Sequence, residues 1–530
     1  MSGPGTALAG LAVRQVRRGA LLVALITGAM SAVVAWQYAS TFAGALDAGA
    51  VRALAANPAI RALFGAPLAL DSPGGFAVWR TGTPFAVLVG AWALSASTRI
   101  TRGEEDAGRW NLLLCGRIRR HDAVGAGMAA VGAGAVLAGA GVAVGLVLAG
   151  TRPAGAFVHG AGIAGIGLVF AAVGALAGQL LPTRAAASGA SAAVLGAGLL
   201  VRMVADGVPE LGWLRWVSPL GLVAESRPYA GDRAAPLLVL AVFPVVLGGA
   251  ALWVAQHRDL GAGALVSRAG DRKPRTLLLN SAAAFAARRS LRAWLGWAGG
   301  IGAFFALIGA LTGSIIAFLA GSPRFAELAA AAGFGGLGSA PGFAATMFSL
   351  LGIPSGMFAA TRVGALAAEE TTRCGVALFA LPLSRRRIAV VELAVVGAGV
   401  LALHVVAGLA MWAGAAIAGA PLGAGEALAG AVNVVPIGLL SLGAGVLALG
   451  WAPRAVVAVG ALPTAGGFLL DVLARSAQAP EWVVELSPFA HLGAVPLDGP
   501  VWTDVVGLVL CGAGLGAAGV SGVARRDLRC

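Results

Sequence analysis

The sequence predicts an all-α polytopic membrane protein, with twelve transmembrane helices arranged as two tandem six-helix repeats. Three observations carry that prediction. Of 530 residues, 58% are apolar and only 11% charged, against about 25% charged in an ordinary soluble domain, and the mean hydropathy is +0.87. So few polar residues cannot cover a soluble core of this size. Apolar runs near the roughly 20 residues needed to cross a bilayer recur along the whole chain. Finally, distinct motifs return at nearly constant offsets, the signature of a repeated unit.

The first six spans fall at about 19–41, 82–100, 123–150, 156–181, 186–205 and 234–256. The second six fall at about 295–320, 344–366, 389–418, 428–451, 455–475 and 505–523. Glu104-Glu105 returns as Glu369-Glu370 and Arg120 as Arg385, both 265 residues on. Ser218-Pro219 returns as Ser487-Pro488 after 269, and Arg258-Asp259 as Arg526-Asp527 after 268. The domains expected are residues 1–260, a polar cytoplasmic linker over 261–280, and residues 281–530.

Each half opens on an arginine-bearing amphipathic stretch, LAGLAVRQVRRGA and FAARRSLRAWLGW, suited to lie in the inner interface. Arg14, Arg17 and Arg18 before the first span also resemble a signal peptide. The same design recurs mid-chain at Arg288, Arg289 and Arg292, where nothing is cleaved, so the first span is expected to be retained. Segment 42–80 has helical spacing and is expected over the outer face. Segments 206–233 and 476–504 are expected outside as polar loops anchored by tryptophan. Pro244, Pro354, Pro436 and Pro463 lie inside spans and are expected to kink or break them.

The net charge of +14 would suggest nucleic acid in a soluble chain. Here it sets orientation. Most of the 37 Lys+Arg fall on one side if both termini are cytoplasmic, as the positive-inside rule requires. All but Lys273 are arginine, a usage that matches a high-G+C bacterial genome. The expected location is thus a bacterial cell membrane, with no nucleic acid as partner.

The chain carries no sign of chemistry of its own. A phosphate-cradling G-x-x-x-x-G-K-[ST] loop needs a lysine, and Lys273 is followed by Pro274. There is no HExxH or GxSxG, the five histidines are scattered, and the four cysteines show no CxxC spacing. No catalytic, cofactor or metal site is expected in this chain.

Two charged islands interrupt the apolar background. RGEEDAGRWNLLLCGRIRRHD (102–122) lies between spans two and three, and AAEETTRCGVALFALPLSRRRIA (367–389) between spans eight and nine. Each runs from an acidic pair through an arginine and an apolar segment to an arginine cluster. Acids before a short helix and arginines beyond it suit the helix dipole. Each island reads either as a solvated, membrane-anchored turn or, because apolar residues are kept between the charges in both copies, as a segment suited to a socket on a partner protein.

The stretches NPAIRALFGAPLALDSPGGFAVWRTGTPF, TRGEEDAGRWNLLL, VSPLGLVAESRPYAGD and the closing RRDL carry a resemblance. With them the chain resembles the fused twelve-span, type-two permeases of bacterial ATP-binding-cassette exporters, of the polyketide-antibiotic and multidrug branch. The resemblance implies a type-V-exporter-like fold, an interfacial connecting helix before each half, and a coupling helix between the second and third spans. It also implies two copies of a separate cytoplasmic ATPase subunit, which hold the ATP and Mg. Carried over, the coupling residues are Glu104, Glu105, Gly108, Arg109, Leu112, Leu113 and Leu114, then Glu369, Glu370, Arg373 and Leu378. The second copy departs from the first, with Thr371 and Thr372 where the first has Asp106 and Ala107.

Charges inside spans are candidate functional sites. Arg202 and Asp206 stand i, i+4 near the outer end of span five, and Asp471 and Arg475 stand at the matching place in span eleven with signs exchanged. They read either as two local ion pairs easing burial or as a latch between the halves at an outer gate. The function expected is the permease subunit of an ATP-driven exporter of small apolar or amphipathic compounds, surrounded by membrane lipids. A proton-coupled secondary transporter is the alternative, with a lipid-processing membrane enzyme as a third class.

Overall fold

The computed structural model describes residues 4–41, 57–116, 118–265, 278–321, 335–370, 384–476 and 479–526. Among these residues every regular element is helical, with no strand. The chain divides into two compact units, Met1–Arg272 and Lys273–Cys530, and the division falls inside the stretch expected as linker.

Eleven helices among the described residues are long and apolar enough to cross a membrane. In unit 1 they are Gly5–Tyr38, Arg120–Leu148, Pro153–Leu180, Arg184–Gly207 and Ala235–His257. In unit 2 they are Ala282–Ala320, Ala340–Glu370, Arg385–Ile417, Ala424–Trp451, Pro453–Asp471 and Trp502–Arg525. The helix at the second expected span, Pro73–Thr98, is long enough at 26 residues. It falls below the others in apolarity because Arg80, Pro84 and several Ser and Thr side chains dilute its run.

The arginine-bearing stretches at the head of each half are not separate interfacial helices. They are the first turns of uninterrupted helices of 38 and 39 residues, Pro4–Thr41 and Ala282–Ala320. Nothing in either stretch breaks an α-helix: there is no internal proline, and alanine and leucine dominate.

Glycine sets how closely the helices approach. A Cβ on Gly28 would stand 2.7 Å from the Gly141 carbonyl oxygen, and one on Gly145 would collide with the Gly28 carbonyl. Helices 4–41 and 120–148 therefore meet backbone to backbone, the packing that small residues permit where no hydrophobic drive separates helix from lipid. Unit 2 repeats the device between 282–320 and 385–417, where Gly309 abuts the Met411 carbonyl and Gly414 that of Ala306.

Helix starts follow their local chemistry. Ser72, Thr183, Ser218, Ser281, Ser339 and Ser384 each accept a backbone N–H at an N-terminus. The shared Ser-Pro step makes the same long-range bond in both units: Ser218 Oγ donates to Gly198 O at 2.7 Å, and Ser487 Oγ to Gly467 O at 2.9 Å.

The prolines act differently in the two units. Helix Ala235–His257 runs on through Pro244 without a break. In unit 2, a turn precedes Pro354 between Ala340–Ser349 and Gly352–Glu370. Pro436 follows the interruption at Val434, and Pro463 sits in the π-helical turn Leu462–Gly466. A proline deletes one backbone donor and clashes with the preceding turn. Whether the helix breaks depends on neighbours able to satisfy the freed carbonyls.

Candidate functional site

The first island continues a bundle helix. Helix 73–98 passes through a π-helical turn, Arg99–Gly103, into Glu104–Asp106. Gly108 then takes a left-handed φ of 72°, which resets the chain, and Arg109–Leu113 forms a new short helix.

Before that reset, Glu105 is buried and Glu104 is partly exposed. The Glu105 carboxylate accepts from Arg258 Nη1 at 2.7 Å, from Arg258 Nη2, and from the Gly261 amide at 2.8 Å. Arg258 Nε donates to Gln179 Oε1 at 2.9 Å. Arg102, 2% exposed, donates to Asp106 Oδ1 at 2.8 Å and to the carbonyls of Pro182, Gly261 and Ala262. Asp106 Oδ2 accepts from the Arg184 amide at 2.7 Å. The cage thus gathers the ends of helices 73–98, 153–180 and 235–257 with the start of 184–207. Burial pushes the Glu105 carboxyl up, but the Arg258 guanidinium, the Gly261 amide and Arg102 outweigh it and hold the acid below its ordinary value.

Trp110 anchors the short helix from below. It is buried against Val124, Ala175, Ala251 and Ala255, with Leu113 and Leu114 packed at the edge of that cluster. The opposite face is open. Leu112 is 81% exposed, and Arg109 grips Glu104 with two bonds of 2.6 and 2.7 Å while remaining 60% exposed. Of the residues expected here, Glu104, Arg109 and Leu112 form the presented surface, Leu113 and Leu114 are half-buried, and Glu105 is internal.

The second island begins at the end of helix Gly352–Glu370. Glu370 accepts from Arg526 Nη2, whose carbonyl accepts from Arg385 Nη1 at 2.9 Å. Glu369 accepts from Arg289 Nη1 at 2.6 Å, and Arg289 Nη2 donates to Glu392 at 2.5 Å. Arg373 and Leu378 lie outside the described residues.

At the far end of unit 1, Arg202 Nε stands 2.7 Å from Asp206 Oδ2, both 3% exposed. Arg215 Nε stands 3.0 Å from Asp206 Oδ1. Arg202 lies against Gly65, whose φ of 91° and missing Cβ admit the guanidinium. In unit 2, Asp471 is half-buried on helix Gly467–Ser476, and the side chain of Arg475 lies outside the described residues. No group of three or more His, Cys, Asp or Glu side chains is placed to hold a metal among the described residues.

The profile of the family described as multidrug efflux system permease Rv1217c, C-terminal domain, matches residues 279–523. The multidrug efflux system permease protein Rv1217c of Mycobacterium tuberculosis (strain ATCC 25618 / H37Rv) is 31% identical over 492 residues. The match covers 91% of this chain and 87% of that protein. The chain belongs to the multidrug efflux permeases.

Sequence reading of the permease did not place Gln179, Arg258 and Arg526 at the islands, and gave Arg102 and Trp110, inside the first island, no role there. A signal for two of them existed: the Glu-Glu pair and the closing Arg-Asp step repeat at nearly equal offsets. In both units the second acid of the pair bonds the arginine of that step.

Proposed function

We propose that the permease is the membrane subunit of an ATP-driven exporter that moves small apolar or amphipathic compounds outward across a bacterial cell membrane. Both termini face the cytoplasm, and two copies of a cytoplasmic ATP-binding-cassette ATPase hold the ATP and Mg. Helix Pro73–Thr98 is the twelfth span, and the two units are tandem six-helix repeats. The equal bonds of Ser218 and Ser487, and of Glu105 and Glu370, support that reading. The coupling surface of the first half is Glu104, Arg109 and Leu112. Glu369, Glu370, Arg373 and Leu378 mark the corresponding place in the second.

The observation that carries the proposal is Leu112. Leu112, 81% exposed, projects from a helix whose other face is held by Trp110, so it suits a partner's apolar socket. The Glu104–Arg109 pair beside it supplies a polar rim. The cage under it ties four helix ends together, so a push on the short helix reaches the bundle.

The test is co-purification of the full chain with a co-expressed ATPase. L112D combined with E104A is expected to lower retained ATPase about tenfold or more, with the melting temperature little changed. Undiminished retention, or transport that follows the proton gradient under ATP depletion, would overturn the reading.

A further inference from the structure

At the end of unit 1 remote from Glu104, a cavity of about 200 Å³ lies among helices 73–98, 153–180 and 184–207 and the segment 209–228. One wall is a chain of five alternating charges. Arg202 meets Asp206, Asp206 meets Arg215 at 3.0 Å, Arg215 meets Glu225 at 2.7 Å, and Arg227 closes the row 3.5 Å from Glu225. Three guanidiniums against two carboxylates leave one positive charge over. Arg202 and Asp206 are almost wholly buried and pair with each other, so the excess lies toward the partly exposed Arg215 and Arg227.

The alignment of the row leaves hydrogen-bonding capacity unused. Arg215 Nε is buried and makes no hydrogen bond despite its ion-pair contact. His159, 1% exposed, lines the same cavity, and neither of its ring nitrogens has a hydrogen-bond partner. A buried polar group without a partner is destabilising, and a native structure keeps one where water, an ion or another molecule supplies the bond, or where function requires it. A neutral imidazole always offers one N–H. Gly82 packs closely on the ring, since a Cβ there would stand 3.2 Å from His159 Cε1. The rings of Phe64 and Trp79, 5.2 Å apart between centroids, also line the cavity. An apolar shelf, a net positive wall and undonated N–H groups make a site for one class of compound.

We propose that this cavity binds an amphipathic anion: a one- or two-ring carboxylate or sulfonate. The acid group lies between His159 and the Arg215–Arg227 side of the wall, and the rings lie against Phe64 and Trp79. The proposal rests on the efflux reading only in calling the ligand a substrate. Binding needs neither ATP nor partner.

The experiment measures saturable binding of radiolabelled 2-naphthoate to the purified full-length chain, beside the neutral 2-naphthamide and the cation 2-naphthylmethylammonium. Naphthoate is expected to bind at least tenfold more tightly than either. H159F and R227Q are each expected to weaken it about fivefold or more while leaving naphthamide unchanged. Arg227 is at the mouth and partly exposed, so R227Q decides the matter if H159F fails to fold. Equal binding of the three probes, preference for the cation, or naphthoate binding indifferent to R227Q would overturn the proposal. Loss of ATP-driven transport with naphthoate binding intact would count against the exporter reading instead.

Discussion

The two acidic pairs occupy matching places in the sequence and do different work. In unit 1, Glu105 is held by Arg258, the Gly261 amide and Arg102, with Gln179 bonding Arg258 behind it, while Glu104 turns back to Arg109 on the island itself. In unit 2, Glu370 is held by Arg526, and Glu369 crosses to Arg289 on the long first helix, a residue it shares with Glu392. Among the described residues, the first half thus sets one acid, Glu104, against an arginine of its own island. The second uses both to tie helix ends together. A repeated motif preserves the tie and leaves the remaining acid free to diverge.

The sharpest way to break that comparison is to remove each tying arginine. R258A strands a buried carboxylate and is expected to cost about 3–5 kcal/mol of unfolding free energy. R526A is expected to cost about 1–2 kcal/mol, because Arg526 is 19% exposed and water reaches the site. Denaturant unfolding of the full chain in detergent measures both, and equal losses would erase the difference between the two cages. A smaller effect separates the outer acids. E369Q is expected to destabilise by about 1 kcal/mol by loosening Arg289. E104Q, whose partner is exposed, is expected to change stability by less than about 0.5 kcal/mol while weakening ATPase retention. The smallest effect is acid sensitivity. The Glu105 carboxyl is held below its ordinary 4.5. Its contribution is therefore fully present above about that pH and disappears as pH falls through the lower folded value. E105Q should remove that part of the acid slope in a pH series of melts, and an unchanged slope would place the sensitivity elsewhere.

Much of the fold was legible because membrane helices announce themselves by length and composition, and because the Ser-Pro and Glu-Glu motifs recur at fixed spacing. The second span was read at about 82–100 and a helix does run there, over 73–98, although polar residues thin its apolar run. What stayed hidden depends on distant neighbours. Glu105 and Arg258 are 153 residues apart, and no local pattern says that the second acid of a pair faces inward. Pro244 and Pro436 look alike in sequence. One sits inside a continuous helix and the other beside a break, a choice made by the helices around them. His159 gave no signal either, because an isolated histidine in an apolar run reads as filler until its surroundings are known.

The unbroken helices at the head of each unit have a mechanical consequence. Thirty-eight residues at 1.5 Å each make a rod about 57 Å long, nearly twice the thickness of a hydrocarbon slab of roughly 30 Å. Such a rod works as a lever: tilting by about 5° about one tip swings the other by roughly 5 Å. Bilayer thickness therefore becomes a dial on the lever's resting angle, and turnover in vesicles of graded acyl-chain length should pass through an optimum.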